Sequence, residues 1–130
     1  MQFDNVDRGT VEQMVRAFYT QALADRMIGP TFKRKLGEDM NSPQWYEHLK
    51  TVDKFWYTMI TGEHGYRGHP FPPHMFLSPL TRKMFERWLE LFKATVNAYF
   101  IPEIAEGFYA KAEAFAEEFM EILSVDEEED

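Results

Sequence analysis

Cysteine is absent from this chain of 130 residues. Its absence excludes disulfide bonds, thiolate nucleophiles, zinc sites built on thiolates and iron–sulfur clusters. A chain without disulfides is compatible with a reducing cytosol.

An excess of basic residues is also lacking, because 22 Asp and Glu residues outnumber 14 Lys and Arg residues and give a formal net charge of −8. Nucleic acids and anionic membranes are bound through basic surfaces, so we expect neither as a partner. No apolar run approaches a membrane span, and the first residues do not resemble a signal peptide. We therefore expect a soluble, cytoplasmic protein.

Several enzyme motifs are missing from the sequence, namely the glycine-rich phosphate loop, the HExxH zinc motif, the nucleophile elbow and the EF-hand loop. Glu47 and His48 are adjacent rather than three residues apart, so a di-iron carboxylate bundle is a weak match. No segment carries a β-strand pattern of any weight. These absences favour a single all-α domain.

Aromatic residues make up 16% of the chain and recur at helical spacing. The first predicted helix begins at a capping box that starts with Thr10, and it ends near Asp25. Gly29-Pro30 is predicted to break the chain before a short turn that carries Phe32 inward. The apolar face of the first helix consists of Val11, Met14, Val15, Phe18, Tyr19, Ala22 and Leu23.

Proline marks the start of each later helix. Ser42-Pro43 predicts a helix that runs to about Thr61, where Gly62 supplies a left-handed cap. Ser78-Pro79 repeats the same start signal, and Pro102 begins the last predicted helix. Four long helices and one or two short ones are therefore expected.

Three hydrogen-bond donors lie on the apolar faces of three different helices: Tyr19, His48 and Trp88. Each of them, taken singly, is more often a core residue than a ligand. A polar imidazole among apolar neighbours such as Val52 nevertheless needs a partner or a ligand. Together the three donors are able to converge on one small polar ligand.

A loop with three glycines and three prolines, residues 62–73, leads to His74. His64, His69 and His74 are five residues apart, which is not the spacing of a helical zinc pair, although a loop can gather three histidines around a metal. The apolar residues 75–77 that follow favour His74 as the inward-facing histidine. We expect His48 and His74 to bracket a flat, apolar ligand that contains a metal.

In this order and spacing, the residues resemble the truncated haemoglobins, and specifically their third group. The similarity covers roughly residues 10–123, and the Ser78-Pro79 pair and the acidic tail depart from the family pattern. The matching positions are Phe18-Tyr19, Gly29-Pro30 with Phe32, Trp45 with Glu47-His48, Phe55-Trp56, Gly62 with Tyr66 and Gly68, Pro70, His74 with Leu77, and Arg87-Trp88-Leu89 with Leu91-Phe92.

The resemblance implies an all-α, truncated globin-like fold whose helices sandwich a haem b. The globin domain would span residues 10–123, after a lead-in of residues 1–9 and before a tail of residues 124–130 that we expect to be disordered. His74 would be the proximal ligand of the haem iron. The distal ligand site would be formed by Tyr19, His48 and Trp88. Further implied haem contacts are Phe32, Val52, Tyr66 and Arg67.

The implied function is the binding of dioxygen or another diatomic ligand at ferrous iron. A polar distal pocket suits peroxide activation or nitric oxide oxidation better than simple oxygen transport, and a reductase partner, which the sequence does not identify, is compatible with this chemistry. His48 as a second axial ligand of the iron stays open. So do two other hypotheses: a cofactor-free helical module that binds a protein partner, and a zinc site on the three loop histidines.

Overall fold

The computed structural model describes residues 2–62 and 81–122. These residues form helices connected by short corners, and no β-strand beyond an isolated bridge occurs among them. The helices are α1 (Arg8–Ala24), α2 (Gly29–Leu36), α3 (Pro43–Thr61), α4 (Arg82–Tyr99) and α5 (Pro102–Ile122). The all-α prediction is confirmed. Within this part of the chain, no helix has the length and apolar character needed to cross a bilayer.

The start of α1 differs from the prediction. Asp7 is the N-cap, and its carboxylate accepts a hydrogen bond of 2.8 Å from the backbone N–H of Thr10. The Thr10 hydroxyl in turn accepts from the Asp7 backbone N–H at 2.9 Å. The prediction of Thr10 as the first residue of the capping box is therefore wrong, because threonine here is the third helical residue, which completes a box begun by aspartate.

The lead-in before α1 is irregular but anchored. Phe3 forms a parallel bridge with Phe100, in which its N–H donates to the Tyr99 carbonyl at 2.8 Å and its carbonyl accepts from the Ile101 N–H at 3.0 Å. These bonds satisfy backbone groups at the corner between α4 and α5, where a helix end leaves them without a helical partner. Phe3 therefore caps the C-terminal end of α4 with backbone hydrogen bonds.

Gly29 and Pro30 open α2, so the predicted break is also a helix start. A Cβ atom at Gly29 would lie 2.5 Å from the carbonyl oxygen of Leu23. Only glycine lets α2 begin this close to the end of α1. The close crossing places Phe32 inward, with 3% of its surface exposed, as predicted.

Asp25 links the corner between α1 and α2 to α4 through hydrogen bonds. Its carboxylate accepts hydrogen bonds from the backbone N–H groups of Met27 and Ile28 at 2.9 and 3.1 Å. The Arg87 Nε donates to the same carboxylate at 2.7 Å. Burial alone would raise the pKa of Asp25. The hydrogen bonds from the backbone and from Arg87 together hold that pKa below its usual value.

The predicted boundaries of α3 are confirmed. The Ser42 hydroxyl accepts a hydrogen bond of 3.3 Å from the Trp45 N–H, Pro43 is the first helical residue, and Gly62 is left-handed with φ 78°. The Ser78-Pro79 signal lies outside the described residues. The helix that it was expected to open begins at Arg82, with Thr81 as its N-cap.

Helices α1 and α3 lie antiparallel. Tyr19, late in α1, contacts His48, early in α3, whereas Arg8 at the start of α1 lies over the ring of Tyr57 near the end of α3. The whole predicted apolar face of α1 is buried, and its Phe18 also contacts Trp88 and Phe92 of α4. Phe92 of α4 stacks on Trp56 of α3 with ring centroids 4.8 Å apart.

The contact at Gly29 predicts opposite effects for two glycine-to-alanine substitutions. Gly29→Ala places a methyl group against the Leu23 carbonyl and should lower the free energy of unfolding by about 1–3 kcal/mol. Gly107→Ala, in α5 where a Cβ meets no atom within 4 Å, should raise it by about 0.5–1 kcal/mol. Urea denaturation of both variants measures the difference. Equal effects at the two positions would contradict the close crossing of α1 and α2.

Candidate functional site

Two polar side chains meet inside the interface between α1 and α3. The Tyr19 hydroxyl lies 3.1 Å from Nε2 of His48, and the two rings meet edge to face with centroids 5.2 Å apart. Only 2% of Tyr19 and 6% of His48 is exposed. The structure therefore brings together two of the three donors that the sequence singled out.

Burial decides the protonation state of this pair. It lowers the pKa of His48 to about 4. It also raises the pKa of Tyr19 above its usual value, and the negative charge of Asp53 adds to that shift. Both side chains are therefore neutral at pH 7. A neutral imidazole carries one ring proton, so the hydroxyl donates to Nε2 in one tautomer and accepts from it in the other.

Aromatic rings surround the pair. Phe32 and Trp45 both meet the Tyr19 ring edge to face, at centroid distances of 5.5 and 5.4 Å, and Trp45 lies 5.5 Å from the His48 ring. The indole N–H of Trp45 donates to the Gly37 carbonyl at 2.8 Å. Because its polar end is bound at that corner, Trp45 presents apolar ring surface to the Tyr19–His48 pair.

Trp88 is half-buried, and the ring of Phe18 lies between it and Tyr19. Its ring meets Phe18 edge to face at 5.6 Å, and Phe18 meets Tyr19 in the same way at 5.1 Å. Trp88 also stacks on Phe92 with an interplanar angle of 4°. The third predicted donor is thus on the Tyr19 side of the core and is connected to Tyr19 through Phe18.

The other predicted site residues divide into two groups. Phe32 and Val52 are buried, and Val52 lies one turn after His48 on the inward face of α3. Three more, His74, Tyr66 and Arg67, lie outside the described residues, and their roles stay predictions. In residues 2–62 and 81–122, no group of three acidic or histidine side chains is placed to hold a metal ion. The alternative zinc site also falls outside those ranges.

One interaction beside the site was not predicted. Nη1 of Arg16 lies 3.0 Å from both carboxylate oxygens of Asp53, so this ion pair joins α1 to α3 next to the Tyr19–His48 pair. Burial raises the pKa of Asp53, and Arg16 opposes that shift. Arg16 lies three residues before Tyr19, but this helical spacing does not reveal a partner on another helix.

The lowered pKa of His48 predicts a pH-dependent stability. The unfolded chain binds this proton below its usual pKa of about 6.5, and the folded chain only below about 4. Acidification through that window therefore favours unfolding, by at most ~3 kcal/mol, and the stability is fully present above it. Denaturation of the wild type and of His48→Gln, compared from pH 7 to pH 4.5, isolates this contribution. Parallel pH profiles for the two proteins would contradict it.

Comparison with known proteins supports the same architecture. No protein-family model matches the chain. The chain is 28% identical over 123 residues to the group 3 truncated hemoglobin ctb of Campylobacter jejuni, and the match covers 95% of each. It also superposes on the crystal structure of the group III truncated hemoglobin from Campylobacter jejuni with a TM-score of 0.82 and 29% identity, again over 95% of each chain. The predicted truncated globin-like fold is thereby confirmed, and both comparisons support the resemblance of the chain to the group III truncated haemoglobins.

Proposed function

We propose that this chain binds haem b and, at the haem iron, dioxygen or another diatomic ligand. The haemoglobin family implies a haem cofactor. The observation that carries the proposal is the buried, neutral hydrogen bond between Tyr19 and His48. Such a pair provides hydrogen bonding inside an apolar region without placing a charge there.

The described residues have the chemistry that the distal side of a haem requires. Phe32, Trp45 and Val52 supply apolar surface for a flat macrocycle, and Tyr19 and His48 supply polar atoms at one place. Bound haem would supply the ferrous iron at which a diatomic ligand coordinates. We propose that Phe32 and Val52 contact the haem directly.

The proximal side is proposed from the sequence. In the sequence, His74 follows a segment rich in glycine and proline and precedes three apolar residues, which suits an imidazole turned toward the interior. We propose His74 as the axial ligand and Tyr66 and Arg67 as partners of the haem propionates. An arginine and a phenol hydroxyl are suitable donors to carboxylates.

The hydrogen bond suggests how the distal residues act on a ligand. A tyrosine hydroxyl has one proton, so Tyr19 cannot donate to the ligand and to His48 at once; while it donates to the ligand, its hydrogen bond with His48 must be one that it accepts. The neutral state of His48 allows the tautomer that carries the proton on Nε2. His48 would then hold the Tyr19 hydroxyl in the donating orientation, and the indole N–H of Trp88 would be a further donor. These donors would stabilise partial negative charge on dioxygen and slow its release.

The same donors bear on reactivity. Hydrogen bonds that are directed at developing negative charge lower the barrier of a reaction in a dry site. We therefore include peroxide activation and nitric oxide oxidation as candidate activities. A separate reductase would return the iron to the ferrous state.

The proposal predicts a stoichiometric haem complex with a strong Soret band when the full chain is titrated with hemin. His74→Ala should remove the normal axial ligation and change the ferrous and carbonyl spectra. His64→Ala and His69→Ala, which remove histidines from the same stretch, are the matched controls and should leave the spectra unchanged.

Two outcomes would contradict this assignment. A folded, colourless protein that ignores hemin would favour the cofactor-free interaction module. A spectrum that is unchanged in His74→Ala would exclude His74 as the ligand.

A separate measurement tests His48. The ferrous spectrum of the wild type without added ligand would show whether His48 coordinates the iron.

The distal hydrogen bond predicts the rate of oxygen release. Tyr19→Phe removes the hydroxyl and should raise the dissociation rate constant roughly 10- to 100-fold, which corresponds to a hydrogen bond of about 1.5–3 kcal/mol. Tyr46→Phe removes a hydroxyl from a tyrosine that is 56% exposed and should have no effect. Stopped-flow displacement of dioxygen by carbon monoxide measures both rates. Equal rates for Tyr19→Phe and the wild type would exclude Tyr19 as the donor.

A further inference from the structure

A cavity lies along the α1–α3 interface, apart from the Tyr19–His48 pair. Its volume is about 130 Å³, and its lining residues are Arg8 and Glu12 of α1 with Lys50, Asp53, Lys54 and Tyr57 of α3. Three of these six side chains are cationic, in a chain whose formal net charge is −8. A concave surface with an excess of one charge sign concentrates the electrostatic potential at its centre.

The acidic residues of the lining do not cancel this cluster. Asp53 is bound by Arg16 through both carboxylate oxygens. Glu12 is the remaining acid, against Arg8, Lys50 and Lys54, and none of these three cations forms an ion pair within the described residues. The cavity therefore has an excess of positive charge.

Aromatic contacts orient two of the cations. The Arg8 guanidinium carbon lies 4.6 Å from the centre of the Tyr57 ring, and Lys50 Nζ lies 5.1 Å from that of Tyr46. A guanidinium held over a ring forms no ion pair there, so its N–H groups stay available to an anion. The cations are thus positioned without a carboxylate partner.

We propose that this cavity binds a compact, multivalent oxyanion of the phosphate class. Its three cations come from two helices, and phosphate offers several acceptor oxygens and more than one negative charge to match them. A single carboxylate would leave part of the positive charge uncompensated. The proposal does not depend on haem binding.

Occupation of the site would join α1 to α3. The Arg16–Asp53 ion pair already joins these helices beside the cavity, and the same helices carry Tyr19 and His48. A ligand that binds the folded chain but not the unfolded chain stabilises the folded chain by mass action. Phosphate is therefore expected to raise the melting temperature as well as to bind.

The test is a titration of the isotope-labelled full chain with inorganic phosphate, followed by amide chemical shifts and by thermal unfolding, with sodium chloride at matched ionic strength as the reference. Saturable shifts at residues of the cavity and a higher melting temperature are expected with phosphate. The triple variant Arg8→Gln/Lys50→Gln/Lys54→Gln should weaken binding at least about tenfold, because it removes every cation of the lining; a tenfold loss corresponds to about 1.4 kcal/mol.

Two further variants separate binding from general effects of charge. Lys33→Gln/Arg34→Gln/Lys93→Gln removes the same number of positive charges away from the cavity and should leave binding unchanged. Glu12→Gln removes the opposing charge from the lining and should tighten phosphate binding, an effect that damage to the fold does not produce. Shifts that sodium chloride reproduces, or that persist undiminished in the first triple variant, would overturn the proposal.

Discussion

The hydrogen bond between Tyr19 and His48 is the constraint on which the packing of α1 and α3 depends. Both side chains are almost completely buried, and a buried polar group without a partner costs about 1–3 kcal/mol. Their contact fixes the register of the two helices at this point, and the contact of Arg8 with Tyr57 at the other end makes the helices antiparallel. The Arg16–Asp53 ion pair lies beside it and joins the same two helices.

The aromatic surroundings explain why this pair stays neutral. Phe32 and Trp45 cover the Tyr19 ring, and the indole N–H of Trp45 is bound to the Gly37 carbonyl. The loss of hydration disfavours the imidazolium and phenolate forms, because each would place a charge in an apolar region. The pair consequently keeps both tautomeric arrangements of its hydrogen bond, which is a property suited to an uncharged ligand such as dioxygen.

The two sides of the α1–α3 interface differ in polarity. The inner side is aromatic and neutral, and the outer side carries charged residues around a cavity that includes Arg8 and Lys54. The strength of an electrostatic interaction depends on exposure to water, so a small uncharged ligand is matched to the inner side and a multiply charged anion to the outer side. Both proposals therefore arise from one helix pair.

The sequence by itself determined the helical class, the boundaries of α3, the buried face of α1 and the candidate residues Tyr19 and His48, because caps and helical periodicity are local signals. The family resemblance, which rests on motifs in a fixed order, identified His74 as the candidate axial ligand of the haem iron. Only the tertiary structure decided that Tyr19 meets His48 directly and that Arg16 binds Asp53. Periodicity identifies which face of a helix is buried. The partner that this face meets depends on the crossing and register of two helices, which the packing of the whole core sets.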